Sequence, residues 1–213
     1  MRALILLTVT FGISFAATGF DASASLTTEQ FKCMKSHGYS FFIGRVHQST
    51  GAVDSHGIQN LKNAKAAGIT NVDGYIFPCT TSSCASPASQ VQSTVNALKS
   101  AGASVGMLWL DIEIYHWPAD HTKNREFIEA MGKELTASGH NWGVYSSYNN
   151  WQSIVGLDYT GLSHKQLWWA TYNNEANFNN FKAFGGWTKP NIHQYQGDAK
   201  GPCGFSIDNN YYP

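Results

Sequence analysis

The chain has 213 residues, 43% hydrophobic, 14% aromatic and only 13% charged, which excludes a disordered segment, a collagen-like repeat and a coiled coil. Its 14 Lys and Arg balance its 14 Asp and Glu, so no basic excess exists to neutralise a phosphate backbone or to hold an anionic membrane surface. Nucleic acid is therefore not an expected partner, whereas seven Trp and ten Tyr set among few charges suit a flat, polar, neutral ligand such as a sugar ring.

The first element reads as an export signal. Arg2 precedes an apolar run from Ala3 to Phe15 that ends among the small residues Ser14, Ala16, Ala17 and Thr18. At about 15 residues the run is shorter than the roughly 20 that cross a bilayer. The expectation is a signal peptide over 1–16 and one domain over 17–213, secreted or delivered to a lysosomal or digestive-vacuole lumen, monomeric and without a membrane anchor. Four cysteines fit that route as two disulfides, for which three pairings exist. Cys79 and Cys84 are close enough to clip one loop, and Cys33 and Cys203 lie near the two ends of the domain.

One pattern then recurs four times: an amphipathic helical stretch, a glycine, and a run rich in aromatic and β-branched residues. Phe31 to His37 leads through Gly38 to Phe41–Val46, and Ile58 to Ala67 through Gly68 to Val72–Phe77. Val91 to Ala101 leads through Gly102 to Val105–Ile112, and Phe127 to Ser138 through Gly139 to Trp142–Ser146. Each glycine stands where a helix needs a left-handed residue to stop. Gly19–Ser23 supplies an earlier strand, and Thr27 with Gln30 a capping box for the helix after it. Beyond Ser146 come three more strand-like runs, Leu167–Tyr172, Ile192–Tyr195 and Phe205–Asp208, with little helix between them.

Alternation of strand and helix predicts parallel strands with right-handed crossovers. The fold class is therefore α/β: a shortened eight-stranded β/α (TIM-like) barrel, five βα units followed by three strands. A doubly wound open sheet fits less well, because no G-x-G-x-x-G follows the first strand. Closure would also make the first and last strands neighbours, bringing Cys33 within reach of Cys203.

Barrel chemistry sits at the carboxyl ends of strands. The fourth strand closes on Asp111 and Glu113, two residues apart and hence on one side, with α-carbons roughly 6.6 Å apart. Two such carboxyl groups suit glycosidic cleavage, one donating a proton to the leaving oxygen while the other stays ionised beside the anomeric carbon. Asp21 and Asp208, on the first and last strands, would flank the same mouth. No metal or other cofactor is expected: His47, His116, His121 and His193 lack the spacing of a metal site, and neither a G-x-S-x-G elbow nor a phosphate loop is present.

Gly19-Phe20-Asp21-Ala22-Ser23, Trp109-Leu110-Asp111-Ile112-Glu113, Gly143-Val144-Tyr145-Ser146-Ser147, Leu167-Trp168-Trp169-Ala170-Thr171-Tyr172, Gln194-Tyr195 and Ile207-Asp208 resemble, in this order, the strand motifs of the Chalaropsis-type lysozymes, glycoside hydrolase family 25. The resemblance implies a muramidase cutting the β-1,4 bond between N-acetylmuramic acid and N-acetylglucosamine in peptidoglycan. It implies Glu113 as general acid, with Asp21, Asp111 and Asp208 as supporting acids, and a substrate-assisted route through the muramic 2-acetamido group. Tyr75, Tyr145, Trp169, Tyr172 and Gln194 are the candidate sugar contacts at the strand ends, and Arg45 is expected to pair with Asp21 or Asp111. Thr171 stands where many members carry His. A non-catalytic peptidoglycan-binding barrel is the alternative from another class, although such a protein would be expected to lose one of the four acids. A chitinase-like hydrolase is the third reading, against which the longer Asp-x-x-Asp-x-Asp-x-Glu run is missing.

Overall fold

A computed structural model describes residues 16–213; nearly all of the predicted signal peptide lies outside the described residues. The strands are β1 (Ala17–Ala22), β2 (Tyr39–His47), β3 (Asn71–Ile76), β4 (Leu108–Asp111), β5 (Trp142–Ser146), β6 (Gln166–Ala170), β7 (Ile192–Lys200) and β8 (Ser206–Tyr212). They close into one barrel in sequence order. The helices α1 (Thr28–Ser36), α2 (Ser55–Ala66), α3 (Pro87–Ser100), α4 (His121–Ala137) and the short α5 (Tyr148–Ile154) follow the first five strands, and no helix follows the last three. No helix among the described residues is long and apolar enough to cross a membrane.

Local signals account for the helix ends. Thr27 and Gln30 form the reciprocal capping box on α1, and Asp54, Ser86, Asp120 and Ser147 each accept a backbone N–H at the start of a later helix. At the far ends Gly38, Gly68, Gly102 and Gly139 all have positive φ, between +62° and +90°. Three of them close Schellman turns, as where Gly68 N donates to Lys65 O and Ile69 N to Ala64 O.

Strand alternation sorts the core into two layers. Phe20, Phe42, Val46, Val72, Leu108, Leu110, Val144, Leu167 and Trp169 point outward and pack under Phe31, Leu61, Val91, Met131 and Trp151 of the helices. Phe41, Ile43, Trp109, Tyr145, Trp168, Ala170 and Ile192 fill the barrel itself. Room for these rings comes from glycine: a Cβ at Gly143 would lie only 2.5 Å from the Trp109 ring. At the amino-terminal end of the barrel a cavity of about 600 Å³ is lined by Ala17, Phe41, Asp73, Met107 and Tyr212. There Asp73 accepts from Met107 N at 2.9 Å and Trp109 Nε1 at 3.0 Å, fixing the floor of the aromatic stack.

Neighbouring strands pair in parallel from β1 to β7, and the pattern breaks at β8. β8 runs antiparallel to both β7 and β1, because the five-residue connection between Lys200 and Ser206 is too short for a helical crossover and must turn as a hairpin. Cys33 bonds to Cys203, tying α1 to this hairpin, and Cys79 bonds to Cys84.

Candidate active site

Four acids meet at one mouth of the barrel. Asp111 is the last residue of β4; its neighbours Leu110 and Ile112 face the helices, so its own side chain points inward, and Glu113 follows two residues on. Asp21 points inward from β1 between the outward Phe20 and Ala22. Asp208 stands directly opposite Asp21 in the antiparallel register. It lies near the beginning of its strand rather than the end, and it reaches the mouth because β8 runs in reverse.

Every one of these carboxyls is pushed above its ordinary range, first by burial. For Asp111 the charges of Glu113 and Asp21 add to the effect, and Arg45 opposes it; for Asp21 the further cause is Asp208. Glu113, less buried, is raised by burial and then by the Asp208 charge. Asp208 is raised by burial as well. Asp21 and Asp111 are each only 5% exposed.

A hydrogen-bonded net holds the Asp21 side of the mouth. Gln194 Nε2 donates to Asp21 Oδ2 at 2.9 Å and to Asp208 Oδ2 at 3.3 Å. Gln194 Oε1 accepts the hydroxyls of Tyr145 at 2.7 Å and Tyr172 at 3.1 Å. Asn210 Nδ2 donates to Asp21 Oδ2 at 2.7 Å, and Trp168 Nε1 donates to Asn210 Oδ1 at 2.7 Å. Asp111 is outside this net: its Oδ1 is buried and has no hydrogen-bond partner. A buried, unpaired carboxylate oxygen costs free energy unless something brings it a donor.

Comparisons with known proteins now decide the family. Residues 13–195 match the family model described as "Lysozyme-like protein 1". The chain is 52% identical over 201 residues to lysozyme-like protein 5 of Caenorhabditis elegans, covering 94% of each chain. It is 42% identical over 198 residues to the probable GH family 25 lysozyme 2 of Dictyostelium discoideum, covering 93% of this chain and 92% of the relative. The chain belongs to the family 25 lysozymes. A family GH25 lysozyme structure from Aspergillus fumigatus shares the fold at a TM-score of 0.73, with 20% identity over 93% of this chain and 94% of that one.

Within this family 25 lysozyme, Tyr75, Tyr145, Tyr172 and Gln194 gather around the acids. The hydroxyls of Tyr75 and Tyr145 are pushed well up by burial and by the neighbouring carboxylates. Tyr172 is 60% exposed at the rim. Trp169 is corrected: it faces the helix layer, stacked on His193 at 4.0 Å and edge-on to Phe181 at 5.2 Å, and its neighbour Trp168 is the tryptophan that turns inward. Arg45 is corrected too, because its Nε binds Asp54 Oδ2 at 2.8 Å, a partner only nine residues away that also caps α2. Against its burial, that guanidinium and the Gly57 N–H hold Asp54 below the usual carboxylate value.

Sequence reasoning missed Asn210 and Trp168. The signal for Asn210 was available: it stands two residues after Asp208, the same spacing that joins Asp111 to Glu113, and so shares its face. Cys33, Cys203 and His37 come together as donors that could hold a metal, but both sulfurs are already joined in the disulfide.

Proposed function

We propose that this chain hydrolyses the β-1,4 bond between N-acetylmuramic acid and N-acetylglucosamine in bacterial peptidoglycan, with Glu113 as the general acid. The observation that carries this reading is the placing of Glu113 beside Asp111, whose buried Oδ1 has no partner. Glu113, with its carboxyl raised by burial and by Asp208, keeps its proton to higher pH than an ordinary glutamate and can give it to the departing glycosidic oxygen.

The Asp111 oxygen would accept the N–H of the muramic 2-acetamido group. Its charge would then steady the oxazolinium ion formed when the acetamido oxygen attacks the anomeric carbon. Glu113, now a carboxylate, takes a proton from the water that opens that ring on the opposite face, so two inversions give net retention, outside the rule that relates outcome to carboxyl separation. Asp21 and Asp208, held by Gln194 and Asn210, shape the negative potential that favours this cation. Export through a cleaved leader over 1–16 belongs to the same reading.

Glu113→Gln keeps the shape and removes the proton. The variant should fold normally and leave purified peptidoglycan intact, with activity down by at least about 100-fold. Cell-wall clearing at the parent rate would reject the assignment. Chitin digested in parallel would separate a muramidase from a chitinase, and proton NMR of the first-formed anomer should show β, the retained product.

A further inference from the structure

Among the described residues four large apolar side chains are well exposed: Ile114 at 61%, Tyr115 at 45%, Tyr172 at 60% and Tyr212 at 48%. Tyr212 is at the far end of the barrel, but the other three ring the mouth that holds the acids. Ile114 and Tyr115 directly follow Glu113 in the chain. Exposed apolar residues scattered singly carry no message, whereas three gathered on one rim mark a binding surface.

The segment bearing Ile114 and Tyr115 is held from every side although its side chains are bare. Asn150 Oδ1 accepts Ile114 N at 3.3 Å, and Trp117 Nε1 donates to Glu113 O at 2.9 Å while its ring packs edge-on to Phe127 of α4 at 5.6 Å. Thr80 Oγ1 donates to His116 O at 2.9 Å, and His116 itself is left-handed at φ +54°. Thr80 belongs to the Cys79–Cys84 loop, which Gln90 of α3 grips through Cys79 N, Cys79 O and Ala85 O. Behind the Tyr115 ring stands Phe77, with centroids 5.4 Å apart, and His116 flanks it at 4.2 Å. A tyrosine fixed in this way presents a flat face at little entropic cost to whatever lands on it.

Resting on the muramidase reading above, we propose that Tyr115, with Ile114 beside it and Phe77 behind it, is the wall that receives the sugar leaving with the proton from Glu113. Asp111 lies deeper on the same strand and serves the muramic ring whose acetamide it meets. The chain then climbs outward through Glu113 to Ile114 and Tyr115, so the group on the far side of the cut bond lies along those two. That group is an N-acetylglucosamine unit, whose apolar ring face and acetamide methyl suit a tyrosine face and an isoleucine.

The test uses the inactive Glu113→Gln protein and two peptidoglycan fragments. The tetrasaccharide GlcNAc-MurNAc-GlcNAc-MurNAc spans the cut bond, and the single sugar MurNAc fills only the muramic place beside Asp111. Adding Tyr115→Ala to Glu113→Gln should weaken tetrasaccharide binding about tenfold and MurNAc binding less than about twofold, with Tyr115→Phe restoring the tetrasaccharide. Equal affinity of the tetrasaccharide with and without the tyrosine overturns the wall, as does an equal loss on both fragments. The protein with Glu113 intact must also split the tetrasaccharide into two disaccharides. Failure there overturns the muramidase reading itself and the wall with it, whereas splitting with unchanged binding overturns the wall alone.

Discussion

Asp21 and Asp208 face each other across the antiparallel β1–β8 pair, and the single amide nitrogen of Gln194 donates to both, at 2.9 and 3.3 Å. Two carboxylates so placed repel, and a neutral donor between them eases this without cancelling the negative potential of the mouth. Replacing Gln194 by Met keeps the volume and removes the amide. At pH 7 the variant should lose about 2 kcal/mol of stability, the cost of leaving buried acceptors unsatisfied. Gln194 lowers an Asp21 carboxyl that burial and Asp208 hold well above 3.8, so this contribution is present above the folded-state value and fades as pH falls through it. Urea unfolding at pH 7 and pH 3.5 measures the difference; an equal loss at both would show that the amide acts by packing alone.

Asp111 behaves in the opposite sense. Burial, then the charges of Glu113 and Asp21, hold its carboxyl well above 3.8, so the folded state binds a proton that the unfolded chain has released. The native protein is therefore most favoured below the unfolded value and loses stability as pH rises through the folded one. Asp111→Asn removes that loss. It should melt a few degrees above the parent at pH 7, matching a gain of about 1 kcal/mol, and level with it at pH 3.5. Peptidoglycan hydrolysis should fall by about 100-fold or more, since the charge opposite the developing cation is gone. A variant no more stable at pH 7 would contradict the strain assigned to this residue.

The rate should fall on the alkaline side as Glu113 loses its proton, at a pH above the ordinary carboxyl value of 4.5, because burial and then Asp208 raise it. Removing the Asp208 charge with Asp208→Asn takes away the second of these causes. The alkaline limb of kcat should then move to lower pH, whatever happens to its height. A purely structural role for Asp208 would lower the whole curve without sliding it, so the position of the limb, measured on soluble peptidoglycan fragments, discriminates between the two.

Much of this arrangement is legible in the amino-acid sequence. The four glycines after helices marked the βα units, whereas the fourth strand, expected to run through Glu113, ends at Asp111 and leaves Glu113 two residues beyond it. Three features were not legible, for physical reasons. The reversal of β8 depends on the hairpin between Lys200 and Ser206, and hydrophobic runs carry no sign of strand direction. In Leu167-Trp168-Trp169-Ala170 both tryptophans are aromatic and strand-forming, and only the registers with β5 and β7 decide which one enters the barrel. Arg45 had acids available at the mouth, but Asp54 sits just beyond a tight turn and claims the guanidinium first.

The Cys33–Cys203 bond closes 170 residues of chain and pins α1 to the hairpin from which β8 departs toward Asp208 and Asn210. Under the chain-entropy account such a loop stabilises by about 5 kcal/mol, against about 2 kcal/mol for the short Cys79–Cys84 loop. The double replacement Cys33→Ser with Cys203→Ser should lower the melting temperature by about 10–20 °C. At 25 °C the folded fraction should still cleave peptidoglycan, because neither sulfur touches the acids. Replacing Cys79 and Cys84 by Ser should cost much less in melting temperature and act instead on the loop that carries Thr80, loosening the hold on His116. Calorimetry on both variants measures the two costs. A larger melting loss from the short loop than from the long one would show that loop entropy does not govern this barrel.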